Sequence, residues 1–368
     1  SVFKKYDNLN NSIQENVKGM RVVKSFVRED YEKNKFGKAS EEVCADFTKA
    51  ERLVALNSPA MQIAMYTAMI IVSYVGAKLI ISGGGTTMGV GALSSMFTYG
   101  MQILSSLMML SMIFVTITIS NASIQRICEV LTEESTIENP ENPKTDVPDG
   151  SIDFNGVSFK YHAGAEKYAL TDIDLHIKSG ETIGIIGGTG SSKSSLIQLI
   201  SRLYDATEGE VLVGGSNVKD YDIETLRNAV SVVLQKNVLF SDTIKENLRW
   251  GDMNATDEEL VRVCKLAQAD EFINTLPDGY DTHIEQGGTN VSGGQKQRLC
   301  IARALLKKPK IIIFDDSTSA VDTKTDAHIR NALATEIPDT TKIIIAQRIS
   351  SVQDADRIVV MEDGKINA

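Results

Sequence analysis

The sequence predicts a chain of two parts, in which an α-helical membrane-spanning domain precedes an α/β domain built on a parallel sheet. Three observations lead to this fold class. Long stretches without charged residues occupy the first part, a proline-containing acidic segment follows, and short β-branched runs alternate with helical stretches in the last part. With 368 residues the chain is long enough for two or three structural units.

Charge is divided unevenly between these parts. The whole chain has 48 acidic and 38 basic side chains and a net charge of −10. Residues 1–130 carry a net charge of +3, whereas residues 131–368 carry −13. Because the chain lacks an overall basic surface, we expect no nucleic-acid partner.

Two uncharged stretches predict membrane-spanning helices. Residues 53–77 contain no Asp, Glu, Lys, Arg or His, and as a helix they would extend about 38 Å, which exceeds a hydrocarbon layer of about 30 Å. Residues 92–125 are also uncharged, and the glycine-rich segment 82–91 predicts a turn between the two helices. Basic residues at the outer ends place both ends in the cytoplasm and the turn outside. The alternative is a buried hairpin of a soluble bundle, but such helices usually carry a polar stripe.

Hydroxyl-bearing residues occur along the second of these stretches and have two interpretations. They could line a polar pathway, or they could let helices pack closely, and we favour close packing. The residues concerned are Ser94, Ser95, Ser105, Ser106, Ser111, Thr116 and Thr118.

The composition also predicts the domain boundaries. Residues 1–50 mix charged and apolar residues at helical spacing, which predicts cytoplasmic extensions of the membrane helices. Residues 132–150 hold three of the seven prolines among acidic and polar residues, which is typical of an exposed linker. We therefore expect a partial transmembrane domain at 1–131, a linker at 132–150 and an α/β domain at 151–368.

The nucleotide-binding assignment begins at a glycine-rich turn. Five runs predict the strands of a parallel sheet, at 182–186, 230–234, 311–314, 342–345 and 358–361. The first runs directly into GGTGSSKSSLIQLI, in which backbone N–H groups and a helix N-terminus face phosphates, Lys193 can reach the β and γ phosphates and Ser194 can bind magnesium. The candidate phosphate-binding residues are Gly187, Gly188, Thr189, Gly190, Ser191, Ser192, Lys193, Ser194 and Ser195.

One position of this loop departs from the phosphate-binding pattern. The pattern GxxxxGK[ST] requires glycine where Ser192 stands, and a dinucleotide GxGxxG pattern fails more clearly, because Lys193 follows where its third glycine belongs. If Ser192 must take a positive φ, the cost is about 1–2 kcal/mol. We expect the loop to keep its anion-binding form because Lys193, Ser194 and the strand-to-helix context remain.

Two further motifs follow in order along the chain. The strand at 311–314 ends in Asp315 and Asp316, and a carboxylate at the end of a strand beside such a loop is suited to hold magnesium, which makes Asp315 the metal-side candidate. Between the loop and this strand, VSGGQKQR places exposed N–H groups ahead of a helix as a second anion-binding element. The residues of this element are Ser292, Gly293, Gly294 and Gln295.

Together these motifs resemble an ABC exporter half-transporter over essentially the whole chain. By this resemblance Tyr161 in FKY stacks on adenine, GGTGSSKSS is the Walker A loop and VSGGQ is the signature motif. IIIFDD matches the Walker B strand, and Gln235 in VLQKN matches the Q-loop glutamine, which serves both the metal and the catalytic group. The two spans would be the fifth and sixth of six, so we expect a longer polypeptide whose first helices and C-terminal tail are not included here.

Departures from the family pattern define the functional prediction. Asp316 stands where the family has its catalytic glutamate, and Gln347 in IIAQR stands where it has the switch histidine. Shortening Glu to Asp withdraws the carboxylate by about 1.5 Å, and a displacement of about 1 Å can cost about 100-fold in rate. Glutamine can hydrogen-bond a γ-phosphate but cannot carry a proton as histidine does. The signature motif, by contrast, is intact.

The resemblance therefore implies one half of a heterodimeric bacterial multidrug exporter. Its own Walker site would bind ATP and Mg²⁺ but hydrolyse ATP poorly, and its signature would complete a partner's active site. The implied setting is the plasma membrane, with contacts to lipid and to a small amphipathic substrate and with the ATP-binding domain in the cytoplasm. The alternatives are a homodimeric lipid or peptide exporter and an ATP-gated regulatory subunit. A soluble DNA-repair ATPase disagrees with the uncharged stretches.

Overall fold

A computed structural model describes residues 2–83, 88–316, 321–347 and 349–367. The chain forms two compact units, Ser1–Glu133 and Glu134–Ala368. Across its described residues the first unit is wholly helical, and the second combines helices with three sheets. This order confirms the predicted fold class of a helical domain followed by an α/β domain.

Four helices form the described part of the first unit. They are α1 (Val2–Ser25), α2 (Glu29–Ala55), α3 (Asn57–Ser82) and α4 (Val90–Leu131). Ion pairs join α1 to α2, between Lys5 and Asp46 at 3.1 Å and between Lys35 and Glu15 at 2.8 Å. The predicted turn after α3 begins at Gly83, and residues 84–87 of that turn lie outside the described residues.

Two helical stretches, Glu29–Ser82 and Val90–Leu131, are long and apolar enough to cross a membrane. Their large apolar side chains remain exposed within this chain, as Ile70, Tyr74 and Phe114 show. A soluble bundle would bury such a surface in its core, whereas lipid or neighbouring helices can cover it in a membrane.

Hydroxyl groups along α4 are occupied by bonds within the helical hairpin. Ser106 donates to the carbonyl of Gln102 at 2.9 Å and Thr116 donates to that of Met112 at 3.0 Å, while Ser111 accepts from Asn57 of α3 at 3.1 Å. A hydroxyl group that donates to a carbonyl of the preceding helical turn has its hydrogen bond even when it faces lipid. Such a residue therefore does not require a polar channel beside it. The contacts therefore favour the packing interpretation of these residues.

The second unit contains twelve strands and seven α-helices among its described residues. The helices are α5 (Lys193–Ile200), α6 (Ile223–Ala229), α7 (Ile244–Arg249), α8 (Asp257–Leu266), α9 (Asp270–Ile273), α10 (Gly293–Leu306) and α11 (Thr323–Glu336). The first six strands are β1 (Ile152–Phe159), β2 (Leu170–Ile177), β3 (Thr182–Gly187), β4 (Glu208–Val213), β5 (Ser216–Asn217) and β6 (Val230–Val233). The others are β7 (Asp242–Thr243), β8 (His283–Ile284), β9 (Ile311–Asp315), β10 (Thr341–Ile345), β11 (Arg357–Glu362) and β12 (Lys365–Ile366).

The central sheet has the strand order β12-β11-β3-β10-β9-β6. All neighbours from β11 to β6 are parallel, and only β12 pairs antiparallel at the edge. A separate antiparallel sheet has the order β2-β1-β4-β5, and β7 pairs with β8. The five parallel strands are those that the sequence predicts, and their carboxyl ends lie along one edge where a ligand site is expected.

Both faces of the central sheet are buried. Alternate residues of β9 join different apolar cores, because Ile311 and Ile313 pack on one side and Ile312 and Phe314 on the other. A strand buried on both faces requires continuous apolar sequence, which explains the unbroken IIIF run before Asp315. The sheet therefore provides a rigid support for the side chains that follow its strands.

The segment predicted as a linker is held to the second unit by its later residues. Lys144 exchanges two backbone hydrogen bonds, donating to the Asp220 carbonyl at 2.8 Å and accepting from the Asp222 N–H at 2.9 Å. Val147 is buried in the core of the antiparallel sheet. The proline-containing composition thus accompanies an extended segment that lies along the domain surface for part of its length.

Candidate nucleotide-binding site

A cavity of about 490 Å³ opens at the carboxyl ends of β3, β9 and β10. This volume lies within the range of small-molecule sites. Most of its lining residues are the candidates that the sequence identifies. They are Gly187, Gly188, Thr189, Gly190, Ser192, Lys193, Ser194, Ser195, Gln235, Asp315, Asp316 and Gln347, together with Ile345, which the sequence did not single out.

The glycine-rich loop turns sharply between β3 and α5. A side chain at Gly187 would bring its Cβ to 2.2 Å from the Met361 carbonyl oxygen, so that position admits only glycine. Gly190 has a φ of 87°, which is in the left-handed region that glycine favours. At Gly190 no described atom lies within 4 Å of an added Cβ, so the backbone there is open to a ligand.

Ser192 has the positive φ whose cost the sequence analysis considered. Its φ is 67° and its ψ is 24°, which is the left-handed helical region. The loop therefore keeps a glycine-like backbone at a residue with a side chain, at a cost of about 1–2 kcal/mol. Ser192 is the N-cap of α5 but supplies no side-chain cap bond among the described residues, so the start of this helix faces the cavity uncapped.

The Lys193 ammonium group lies over the loop. It donates to the carbonyls of Gly187 at 2.9 Å and Gly188 at 2.8 Å and to the Ser191 hydroxyl at 3.0 Å. Ser191 is buried and supports the lysine instead of lining the cavity. Burial lowers the pKa of Lys193, and the charges of Asp315 and Asp316 partly oppose this change. Among the described residues that line the cavity, Lys193 is thus the one cation, and it lies at the phosphate-facing end.

Ser194 and Asp315 form an oxygen-rich pair. The Ser194 hydroxyl donates to Asp315 Oδ2 at 2.8 Å. Burial raises the pKa of Asp315, while the Ser194 hydrogen bond opposes the rise. Hydroxyl and carboxylate oxygens are the ligand types that Mg²⁺ prefers, and magnesium sites in proteins commonly combine one carboxylate with substrate phosphates. The pair therefore fits the magnesium that the sequence predicts at Ser194 and Asp315.

Asp316 is held by two amide groups. Gln347 Nε2 donates to Asp316 Oδ2 at 2.8 Å, and Gln235 Nε2 donates to the same oxygen at 3.3 Å. The backbone of Asp316 has a φ of 46°, and its N–H donates to the Ile345 carbonyl at 2.9 Å. The structure thus places the three predicted catalytic residues in one cluster, with Gln235 directed at Asp316.

Tyr161 lies beside the cavity and is connected to it through α5. Its hydroxyl is 2.7 Å from Ser195 Oγ and donates to Gln198 Oε1 at 3.3 Å. Its ring packs edge-on against Phe159 and Tyr204, at centroid distances of 4.8 and 5.2 Å. The sequence identified Tyr161 but not Gln198 or Tyr204. The only signal for Gln198 was its position one helical turn after Ser195, which puts both on one face of α5.

The signature residues lie at the start of α10 and, among the described residues, outside the lining of this cavity. Ser292 Oγ accepts from the Gln295 N–H at 3.3 Å, and Gln295 Oε1 accepts from the Ser292 N–H at 2.9 Å. This reciprocal pair is a capping box, which satisfies two N–H groups at the helix start. Ser292 and Gly293 are exposed, whereas Gly294 and Gln295 are half-buried.

Two family models match this chain. The ABC transporter transmembrane region matches residues 1–107, and the ABC transporter domain matches residues 170–319. An uncharacterized ABC transporter ATP-binding protein of Mycobacterium tuberculosis is 39% identical over 98% of the chain and 62% of its own length. A putative multidrug export ATP-binding/permease protein of Staphylococcus aureus is 42% identical over 96% of the chain and 61% of its own length.

A solved structure supports the same relationship. The structure of a bacterial Atm1-family ABC exporter with ATP bound matches with a TM-score of 0.89 and 29% identity, and covers 100% of this chain and 65% of that one. The chain thus spans about 62% of the length of the curated relatives. Fold, family matches and relatives together show that the chain belongs to the ABC transporters, with the arrangement of an exporter half-transporter. It is a membrane protein whose ATP-binding domain is on the cytoplasmic side.

Proposed function

We propose that this chain is one subunit of an ATP-driven exporter of amphipathic, drug-like compounds, and that it works with a second, different half-transporter. In this proposal its own Walker site binds ATP with Mg²⁺ and hydrolyses ATP slowly. Its signature residues complete the active site of the partner.

Export of amphipathic compounds is supported by the membrane unit and by the relatives. Two long apolar helical stretches are fused to an ATP-binding domain in one chain. The Staphylococcus aureus relative carries the description of a putative multidrug export protein. The exposed side chains of these helices are mainly apolar, so they can contact the apolar surface of an amphipathic compound.

ATP binding is supported by the chemistry of the cavity. Backbone N–H groups at the uncapped start of α5 and the Lys193 ammonium group attract phosphate oxygens. Ser194 and Asp315 would hold Mg²⁺ by their oxygens. When bound there, Mg²⁺ would neutralise part of the phosphate charge. The chain's own residues orient the phosphates between α5 and the end of β9.

The arrangement of Asp316 is the observation that carries the proposal of slow hydrolysis. A general base must accept a proton from the attacking water, and one of the two Asp316 carboxylate oxygens, Oδ2, already receives two amide hydrogen bonds that make it less basic. Its side chain is also one methylene shorter than glutamate, which places the carboxylate farther from a γ-phosphate. Gln347 donates a hydrogen bond but cannot take up a proton. These residues can therefore hold a phosphate and a water without efficient proton transfer.

A second half-transporter is supported by the position of the signature residues. Ser292–Gln295 are outside the chain's own cavity lining among the described residues, and the start of α10 is partly exposed. A helix N-terminus of this kind can receive phosphates from another molecule. An intact signature beside a weakened catalytic group favours a partner with a different sequence, because two identical chains would share the weakness at both sites.

The test compares ATP hydrolysis by assembled complexes. The chain is purified with its genomic neighbour, whose own hydrolytic site is inactivated, so that hydrolysis reports this chain's Walker site. We expect the double variant Asp316→Glu with Gln347→His to raise ATP hydrolysis about 100-fold or more, since a carboxylate displaced by about 1 Å costs about 100-fold and general-base assistance contributes at least about 100-fold. The matched control, Asp339→Glu with Gln353→His, changes the same residue types at exposed positions outside the cavity lining.

Three outcomes would contradict parts of the proposal. An unchanged rate in the double variant would mean that Asp316 and Gln347 do not limit this site. Efficient ATP-dependent dye efflux from vesicles containing this chain alone would favour a homodimeric exporter. A complex that binds ATP but moves no amphipathic dye against a gradient would favour an ATP-gated regulatory subunit.

A further inference from the structure

The tyrosine beside the cavity is fastened to the helix that bears the phosphate loop. Tyr161 lies two residues after the end of β1, and 44% of its surface is exposed. An exposed ring at the end of a strand would ordinarily sample several rotamers. Here its hydroxyl is 2.7 Å from the buried Ser195 and 3.3 Å from Gln198 Oε1.

The direction of these hydrogen bonds follows from the groups involved. Gln198 Oε1 can only accept, so the Tyr161 hydroxyl donates its single proton to that oxygen. Ser195 Oγ then donates to the Tyr161 oxygen, which completes a short chain from Ser195 through Tyr161 to Gln198. Both anchor residues lie on α5, three positions apart and on one face of the helix.

The same helix also carries the residues that face phosphate. Lys193 and Ser194 open α5, and Ser194 is bonded to Asp315 at 2.8 Å. Ser195 both lines the cavity and contacts Tyr161. The Tyr161 ring, which would face a base, is therefore held by the same one and a half turns of α5 that carry the phosphate-facing Lys193 and Ser194.

Aromatic packing restrains the ring from another side. Phe159, which is buried, contacts Tyr161 edge-on at 4.8 Å, and Tyr204 does so at 5.2 Å. Such contacts contribute about 0.5–1.5 kcal/mol each and restrict ring rotation. The hydroxyl bonds add a restraint at the far end of the ring, so that the side chain is fixed at both ends.

We propose that Ser195 and Gln198 are positioning residues that fix the Tyr161 ring through its hydroxyl and so set the spacing between base recognition and phosphate recognition. This inference rests on the proposed ATP binding and deepens it. A ring held in place before binding loses less conformational freedom when a base stacks on it, which strengthens binding of the base and leaves phosphate binding unchanged.

The experiment separates the base from the phosphates by using two probes. Isothermal titration calorimetry on the full chain in detergent measures Kd for ATP and for inorganic tripolyphosphate, each with Mg²⁺. Tyr161→Phe keeps the ring and removes the hydroxyl. We expect it to weaken ATP binding about 3- to 10-fold, as the loss of one or two hydrogen bonds implies, and to leave tripolyphosphate binding unchanged.

Further variants distinguish positioning from a general effect on folding. Ser195 itself lines the cavity, so Ser195→Ala should weaken binding of both ATP and tripolyphosphate, with the larger loss for ATP, and Ser195→Thr, which keeps the hydroxyl, should restore both. Gln198→Met, which keeps the length but removes the acceptor, should have the same effect as Tyr161→Phe. Tyr168→Phe is the matched control, because it removes a tyrosine hydroxyl bonded to Glu208 at 2.6 Å on the antiparallel sheet.

The outcomes separate this inference from the proposed function. Wild-type protein that binds neither ATP nor tripolyphosphate would overturn the proposed ATP binding itself. Wild-type affinity for ATP in Tyr161→Phe would overturn the positioning role while leaving ATP binding in place. Equal losses for ATP and tripolyphosphate in Tyr161→Phe would also overturn it, because the hydroxyl would then support the whole loop and not the base.

Discussion

Two helices of the ATP-binding domain begin with serine-rich or glycine-rich turns, yet their N-termini are built in opposite ways. The start of α10 is capped by its own Ser292 and Gln295 through two reciprocal hydrogen bonds. The start of α5 has no side-chain cap among the described residues, and its N-cap Ser192 is in the left-handed region. The cap of α10 occupies two N–H groups, those of Ser292 and Gln295, whereas no side chain caps the start of α5, which faces a cavity, among the described residues.

The surroundings of the two helix starts also differ, because α5 begins at a cavity and α10 begins at a partly exposed surface. Around α5 stand a lysine, a buried carboxylate and two amides in a cavity of about 490 Å³. The start of α10 is partly exposed and lies outside that lining among the described residues. A complete anion site needs donors together with walls that exclude water, and of these two helix starts only α5 has both among the residues that the structure describes. In the proposed heterodimer, the partner would supply the walls around the exposed start of α10.

The largest expected effect is at the lysine of the α5 site. Lys193→Ala should weaken ATP binding by the chain about 10- to 100-fold, because a charge-assisted hydrogen bond contributes about 1.5–3 kcal/mol. Calorimetry with MgATP measures the change. Lys296→Ala is the matched control at the α10 start, where the ammonium group donates to the Gly287 carbonyl at 2.6 Å. Equal losses of ATP affinity in both variants would remove the distinction between the two helix starts.

A smaller effect is expected at the α10 cap. Ser292→Ala should lower the ATP hydrolysis of the assembled complex by at most about 5-fold, since the N-cap stabilises the helix start by about 1 kcal/mol and only part of that loss would displace the signature N–H groups. The chain's own affinity for ATP should stay at the wild-type value. Hydrolysis by the complex and calorimetry on the isolated chain check the two parts. A weakened ATP affinity of the isolated chain would show that α10 contributes to the chain's own site.

The buried carboxylate of the α5 site should make stability depend on pH. Burial raises the pKa of Asp315 in the folded chain. The folded state therefore holds this proton more tightly than the unfolded state, and the free energy of unfolding falls as pH rises through that pKa. Asp315→Asn, which keeps an oxygen for Ser194, should raise the melting temperature at neutral pH.

The gain from Asp315→Asn should disappear at acidic pH, where the aspartate is protonated in both states. Melting curves across a pH series, recorded in detergent without nucleotide, measure this dependence. If Asp315→Asn raised the melting temperature equally at every pH, the cause would be better packing and not the removal of a buried charge. At neutral pH the same variant should lose the Mg²⁺ dependence of ATP binding.

The smallest effect is expected at Ser192. Replacement by glycine relieves the left-handed strain of about 1–2 kcal/mol but adds freedom to the unfolded chain, so the net stabilisation should be below about 1 kcal/mol. Chemical denaturation measures the difference in the free energy of unfolding. Ser201→Gly, at the end of α5 with a φ of −87°, relieves no strain and should be destabilising. Stabilisation by both variants would contradict the strain argument.

Much of the fold follows from local sequence. Uninterrupted apolar residues predict α3 and α4, and β-branched runs predict the five parallel strands. The glycine-rich loop is predictable because its residues are consecutive and its geometry depends on the backbone. The conformation of Ser192 was not predictable, since serine has no preference for a positive φ and the neighbouring strand and helix impose it.

The contacts of the candidate site depend on residues that are distant in the sequence. Gln235 and Gln347 are separated from Asp316 by 81 and 31 positions, and both reach the same carboxylate oxygen. The sequence named each of these residues by motif but did not show that the two amides share one acceptor. Gln198 and Tyr204 carried no motif, so their contacts with Tyr161 were missed.

By itself the sequence determined that this chain combines membrane-spanning helices with an ATP-binding domain, because hydrophobic length and a consecutive phosphate loop are local properties. Only the tertiary structure decided which groups satisfy one another: the amides on Asp316, the hydroxyl of Tyr161 on α5, and the cap that separates α10 from the cavity. Those choices depend on the register of the parallel sheet, which brings the ends of β3, β9 and β10 to one edge. Register is set by packing on both faces of the sheet, and no single segment of the sequence contains it.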